Sequence, residues 1–250
     1  MPATIELRIF ADPQALAEAG AELFRRLADE AVQQRGRFMV ALSGGSTPRA
    51  LFGLIASQPY RDQIDWGRVH AFWSDERAVP PDDGQSNYRM AHESLLERVP
   101  IPAAQVHRMP AERTPLADAA DEYADEIVRV FGSAGTPRFD LVMLGMGDDG
   151  HTASLFPETE GLREQHRLVV PNYVPKLDAN RMTFTPVLIN AAAGVLFLIA
   201  GAAKADALHA VLEGPREPRR YPAQLVSPAD GALHWYVDEA AGAKLQRRSF

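Results

Sequence analysis

Residues 38–48 read FMVALSGGSTP. Five apolar residues, a glycine pair flanked by hydroxyl side chains, and Pro48 ahead of the apolar Leu51, Phe52 and Ile55 spell strand, tight turn and helix start. Outward from this unit the same alternation continues. Short apolar segments recur at residues 6–10, 69–73, 139–144, 182–185 and 195–200, with a last one around 234–237. Between them lie helical patterns. Asp12 and Pro13 make a cap and first position for a helix carrying Leu16, Ala19, Leu23 and Leu27, Ser86 begins another with Met90, Leu95 and Leu96, and Pro115 opens a third that runs to about Phe131. The alternation predicts an α/β fold, a mostly parallel sheet flanked by helices. No repeat or long linker interrupts it. The Pro- and charge-rich stretch 213–222 reads as a surface loop, so one domain over residues 1–250 is expected.

Composition narrows the function. The 250 residues include 46% hydrophobic and 24% charged side chains, which suits an ordinary globular protein with one core. Cysteine is absent, which excludes disulfides, thiolate catalysis and cysteine-ligated zinc. A formal charge of −7 argues against a nucleic-acid partner, because phosphate-backbone affinity needs a surplus of Lys and Arg on one face. The longest apolar run, residues 191–203, falls short of the ~20 residues a bilayer demands. The first ten residues, MPATIELRIF, lack a basic segment ahead of an apolar one, so a cytoplasmic protein without a membrane partner is expected.

Three strand-to-loop junctions carry residues suited to chemistry. In the first, Ser43 to Pro48, two glycines let the backbone approach an anion. Ser46 or Thr47 is placed to cap the helix and Pro48 to take its first position, so free amides and the helix dipole converge on one spot. A plain tight turn is the alternative, and Arg49 rules out a Walker A loop. The second junction, Ser74-Asp75-Glu76-Arg77, puts three charges where open α/β sheets place ligands, although charge runs are often merely solvated.

The third junction is GMGDDGHTASLFP, residues 145–157. Its glycines spell G-x-G-x-x-G, but Pro157 cuts short any helix and no strand ending in an acid follows about 20 residues on, so a dinucleotide is not expected. What remains is His151 raised on a glycine turn beside Asp148 and Asp149, as a general base with an orienting partner requires, or simply a loop His bonded to an Asp. A metal site lacks a third ligand at any recognisable spacing. Lys204 stands out because the chain has only three lysines; Arg181 enters the segment 182–185, where a rim salt bridge is the default reading.

Taken together, SGGSTP at 43–48, SDER at 74–77 with Ser86-Asn87-Tyr88 downstream, LGMGDDGHTASLFP at 144–157, RMTFT at 181–185 and GAAK at 201–204 resemble the 6-phosphogluconolactonase family. The order and spacing cover residues 38–208. The resemblance implies a Rossmann-like, three-layer α/β domain of the glucosamine-6-phosphate deaminase and ribose-5-phosphate isomerase type, acting on a phosphosugar lactone without metal or organic cofactor. It implies a phosphate grip from Ser43, Gly44, Gly45, Ser46, Thr47, Arg181 and Lys204, an orienting cation in Arg77, and a water-activating base in His151.

The residue chemistry agrees. Opening a δ-lactone needs water made nucleophilic near neutral pH, to which an imidazole is suited. It also needs positive or N–H groups at the developing oxyanion, which Arg77 or loop amides supply. Either Asp75 or Asp149 could hold the imidazole tautomer. Two alternatives remain. In a glucosamine-6-phosphate deaminase the family pattern has Glu five residues after the loop His, where this chain has Phe156, and favours Tyr where it has Arg77. A non-catalytic sugar-phosphate-binding module would be expected to lack His151 or the acids of SDER. Monomer and dimer are not distinguished.

Overall fold

The computed structural model describes residues 4–132 and 135–249. Its strands are β1 (Thr4–Phe10), β2 (Phe38–Leu42), β3 (Val69–Trp73), β4 (Asp75–Arg77), β5 (Leu141–Leu144), β6 (Val169–Val174), β7 (Ala179–Phe184), β8 (Gly194–Ile199) and β9 (Ala232–Asp238). The α-helices are α1 (Pro13–Arg35), α2 (Ser46–Ile55), α3 (Tyr60–Gln63), α4 (Asn87–Ser94), α5 (Leu116–Phe131), α6 (Pro186–Asn190) and α7 (Ala205–Leu212). Six strands form one sheet in the order β1-β9-β8-β5-β2-β3, with every neighbouring pair parallel. Every residue of β2, β5 and β8 is buried, as central strands covered on both faces must be.

The helix boundaries follow local chemistry. The Asp12 side chain accepts from the Ala15 amide at 2.8 Å, and α1 ends where Gly36 turns left-handed at φ 74°. Ser86 caps α4 by accepting from the Arg89 amide. Helix α5 buries Ala119, Ala120, Tyr123 and Ile127 along one face.

One expectation needs correcting. The segment at 182–185 is not a strand of the parallel sheet. It belongs to β7, which pairs antiparallel with β4 and β6 in a separate three-stranded sheet. Two of those strands were illegible in the sequence. The charged triplet Asp75-Glu76-Arg77 has no apolar pattern, and β6 is interrupted by Pro171, which a strand tolerates at a sheet edge, where β6 lies. Val169, Met182 and Phe184 join the same buried apolar cluster as the large sheet, so the small sheet is anchored to the core. The stretch 213–222 is a loop, but its end docks on the third junction: Tyr221 packs against Gly150, and directly after the loop the Ala223 amide donates to the Gly150 carbonyl at 2.9 Å. Among the described residues no helix is long and apolar enough to cross a membrane.

Candidate active site

Strands β2 and β5 are neighbours, and the chain proceeds from β2 toward one edge of the sheet and from β5 toward the other. Their C-terminal ends therefore flank the point where the winding reverses, the crevice in which such sheets hold ligands. A cleft of about 200 Å³ lies there. The turn after β2 supplies Ser43, Gly44 and Gly45, the turn after β5 supplies His151 and Ala153, β4 supplies Asp75 and Arg77, and Asn87 and Lys204 complete the wall. A larger groove of about 540 Å³ lies beside α5, but several of its titratable side chains are already paired, Arg113 with Glu122 at 2.6 Å and His107 with Glu126 at 2.8 Å. The smaller cleft has in its wall two buried groups without a hydrogen-bond partner among the described residues, Ser43 Oγ and Arg77 Nε.

In the first turn Gly45, at φ 110°, caps α2, a conformation that glycine alone adopts without strain. The helix thus starts at Ser46. Neither Ser46 nor Thr47 caps it, and Pro48 takes its third position rather than its first. With no side-chain cap, the first-turn amides stay open to an anion. Gly44 has a different cause: a Cβ there would overlap the Asn87 carboxamide.

That carboxamide belongs to a strut. Asn87 donates to the Asp75 carbonyl at 2.9 Å, while Ser154 donates its hydroxyl to Asp75 Oδ2 at 2.6 Å. Asp75 therefore ties β4 to α4 and to the third junction, and it makes no hydrogen bond to His151. Glu76, on the opposite face of β4, accepts from the amides of Asn87 and Tyr88 at 2.8 Å each. Burial pushes its carboxyl above the usual range despite those amides.

In the third junction the Gly147 amide donates to the His151 carbonyl at 2.8 Å, closing a turn that lifts the imidazole. Nδ1 of His151 lies 2.6 Å from Asp149 Oδ1, and Lys176 donates to Asp149 Oδ2 at 3.0 Å. Burial opposes ionisation of Asp149, but its bonds from His151 and Lys176 outweigh this and hold the carboxyl well below the usual range. A carboxylate at Nδ1 holds the proton there and leaves Nε2 as the ring's acceptor. Phe156 stacks on the ring with centroids 3.9 Å apart. Two of the three glycines of G-x-G-x-x-G serve this arrangement: a Cβ on Gly147 would run into His151 and Asp149, and Gly150, at φ 77°, packs where a Cβ would come within 2.9 Å of Tyr221.

Arg77 and Arg181 face each other as cross-strand partners of β4 and β7. Both Nε groups are buried without a hydrogen-bond partner among the described residues, as is Ser43 Oγ. Burial, and then the neighbouring Arg77, pull Arg181 below the usual guanidinium range. Two facing cations with idle donors, one of them, Arg77, in the cleft wall, call for an anion. Lys204 arrives on a turn begun by Gly201, whose amide donates to Asp238 at 3.0 Å.

Of the residues singled out in the sequence, Ser43, Gly44, Gly45, Asp75, Arg77, His151 and Lys204 share the cleft wall, whereas Ser46, Thr47, Asp149 and Arg181 do not line it. Glu76 and Ser154 lie inside the motifs read from the sequence but carried no role there, and Lys176 was missed. The rarity of lysine drew attention to Lys204 and applies equally to Lys176. Among the described residues no group of three or more His, Asp or Glu is placed to hold a metal ion.

Residues 11–235 match the family described as glucosamine-6-phosphate isomerases/6-phosphogluconolactonase. A 6-phosphogluconolactonase of Nostoc sp. is 43% identical, over 98% of this chain and 99% of its own. The solved structure of 6-phosphogluconolactonase from Trypanosoma cruzi superposes with a TM-score of 0.87 at 26% identity, covering 99% of both chains. That from Thermotoga maritima gives 0.81 at 30% identity, over 94% of this chain and 100% of its own. Sequence, fold and the residues gathered at the switch point agree, and the chain belongs to the glucosamine-6-phosphate isomerase/6-phosphogluconolactonase family.

Proposed function

We propose that this chain hydrolyses 6-phospho-D-glucono-1,5-lactone to 6-phospho-D-gluconate, the lactone-opening step of the oxidative pentose phosphate pathway, with His151 as general base. The observation that carries the reading is the Asp149–His151 contact at 2.6 Å, which leaves Nε2 as an acceptor beside a cleft rich in idle donors. Nε2 takes a proton from water as its oxygen bonds to the lactone carbonyl carbon. Charge develops on the carbonyl oxygen, where Arg77 donates. The ring C–O bond then breaks, and the departing oxygen takes the proton back from the imidazolium to become the 5-hydroxyl. The open amides after Gly45, with Ser43, Lys204 and Arg181, hold the phosphate.

The deaminase reading is disfavoured because Phe156 stacks on the imidazole where that chemistry would want a carboxylate. The whole chain works as one domain in this reading, in the cytoplasm, with the phosphosugar lactone as its partner. The test is to follow lactone opening with and without the protein, on the acidic side of neutrality where spontaneous opening is slow. The phosphorylated lactone should be opened far faster than glucono-δ-lactone. Equal rates on the two would remove the phosphate grip, and no acceleration of either would remove the activity.

A further inference from the structure

The hairpin that joins β6 to β7 carries Lys176 over the third junction. This lysine is the second partner of Asp149: Nζ donates to Oδ2 at 3.0 Å while Oδ1 faces His151 Nδ1. The carboxylate is thereby held from both sides, by groups 27 and 2 residues away in sequence. The lysine side chain itself is 64% exposed, and its one side-chain hydrogen bond among the described residues is the one to Asp149. We infer that Lys176 is a positioning residue for the lactonase reaction, one that fixes the Asp149 carboxylate and keeps the His151 imidazole in its neutral, proton-accepting form as the solution becomes acidic.

The inference rests on His151 being the base. A cation beside Asp149 offsets part of the negative charge that would otherwise stabilise an imidazolium, so protonation of the ring becomes harder. Other charges lie nearby as well: Asp75 and Arg77 from β4 and Lys204 from the turn after β8 line the same cleft as the ring, and Asp148 on its own loop acts on Lys176. All of these stay in place when Lys176 is changed. Asp149 in turn raises Lys176 above the ordinary ammonium range, so the cation persists wherever the base works.

The test compares Lys176→Met and Lys176→Arg with the unaltered protein by two readouts. One is the pH profile of kcat/KM. The other is the NMR titration of the His151 ring, assigned by its absence in His151→Ala. With the positive charge removed, both midpoints should move up by roughly half a pH unit, given that the pair is solvent-screened. The shift should shrink in ~1 M salt, where the Debye length falls to about 3 Å. Lys176→Arg should behave as the parent. Midpoints that stay put in Lys176→Met, or a loss of kcat that is uniform across pH, would overturn the inference. A ring titration that moves while the acid limb of the rate does not would instead overturn His151 as the base.

Discussion

The turn after β2 and the turn after β5 leave adjacent parallel strands at the same end of the sheet, yet only the first runs into a helix. Past Gly45 the chain enters α2 at once and offers backbone amides. Past Gly145 it stays irregular for a dozen residues, closing on itself through the Thr152–Leu155 bridge and holding Ala153 at φ 47°. That conformation costs a non-glycine residue of order 1 kcal/mol, and here it serves to aim a side chain. A helix start repeats one group, the amide, and suits a ligand part that recurs unchanged, such as a phosphate. An irregular turn sets one imidazole at one angle, as a reaction demands. In the proposed reading the two loops divide binding from chemistry.

The sharpest way to break this division is His151→Ala. If the ring removes the proton and the phosphate is held elsewhere, kcat should fall by ~10²–10⁴ while affinity for 6-phosphogluconate stays nearly unchanged. Steady-state kinetics and a product-binding titration measure the two halves separately. Turnover close to the parent's would move the base away from this loop. A matching loss of product affinity would merge the two functions the comparison separates.

A paired glycine experiment probes the same contrast through shape alone. Gly147→Ala places a methyl group against His151 and Asp149, whereas Gly44→Ala places one against Asn87. A base displaced by about 1 Å loses on the order of 10² in rate, so Gly147→Ala should depress kcat by about that factor with KM little altered. Gly44→Ala should act chiefly on KM, through the Asn87–Asp75 strut and the adjoining amides. Identical kinetic signatures for the two variants would count against separate roles.

On the binding side Lys204→Ala should weaken 6-phosphogluconate by about 1.5–3 kcal/mol, the worth of one charge-assisted bond. Calorimetry with phosphorylated and unphosphorylated sugar acids checks it. The variant should lose affinity only for the first, and an equal loss for both would detach Lys204 from the phosphate.

How much of this was legible follows from what each region is made of. The parallel sheet writes itself into the sequence because β2, β5 and β8 are unbroken apolar runs and their turns need glycine. The small sheet does not, because Asp75-Glu76-Arg77 pairs through backbone groups that any sequence carries. His151 was legible as a candidate, but its partner was not. Asp75 and Asp149 are the same residue type in equally plausible loops, and only the fold gives one to Ser154 and the other to the imidazole. The facing of Arg77 and Arg181 depends on the β4–β7 register, a pairing across a hundred residues that no local pattern encodes.

The smallest expected effect is none, on removal of divalent metal. The acid in the cleft wall and the acid beside His151 are both spent on protein partners: Asp75 on Ser154 and Asn87, and Asp149 on His151 and Lys176. A metal-bound water would need three protein ligands around an open position, and with His151 Nδ1 already turned to Asp149 only Nε2 is left to offer. Recruiting a carboxylate would mean breaking either the dyad or the Asp75 strut, each of which the site's geometry depends on. Prolonged dialysis against a strong chelator should therefore leave kcat/KM for the phosphorylated lactone at its starting value. Activity that is lost and then restored by one divalent ion would replace the imidazole by metal-bound hydroxide as the nucleophile's source, and the turn after β5 would become a ligand-binding loop like its neighbour.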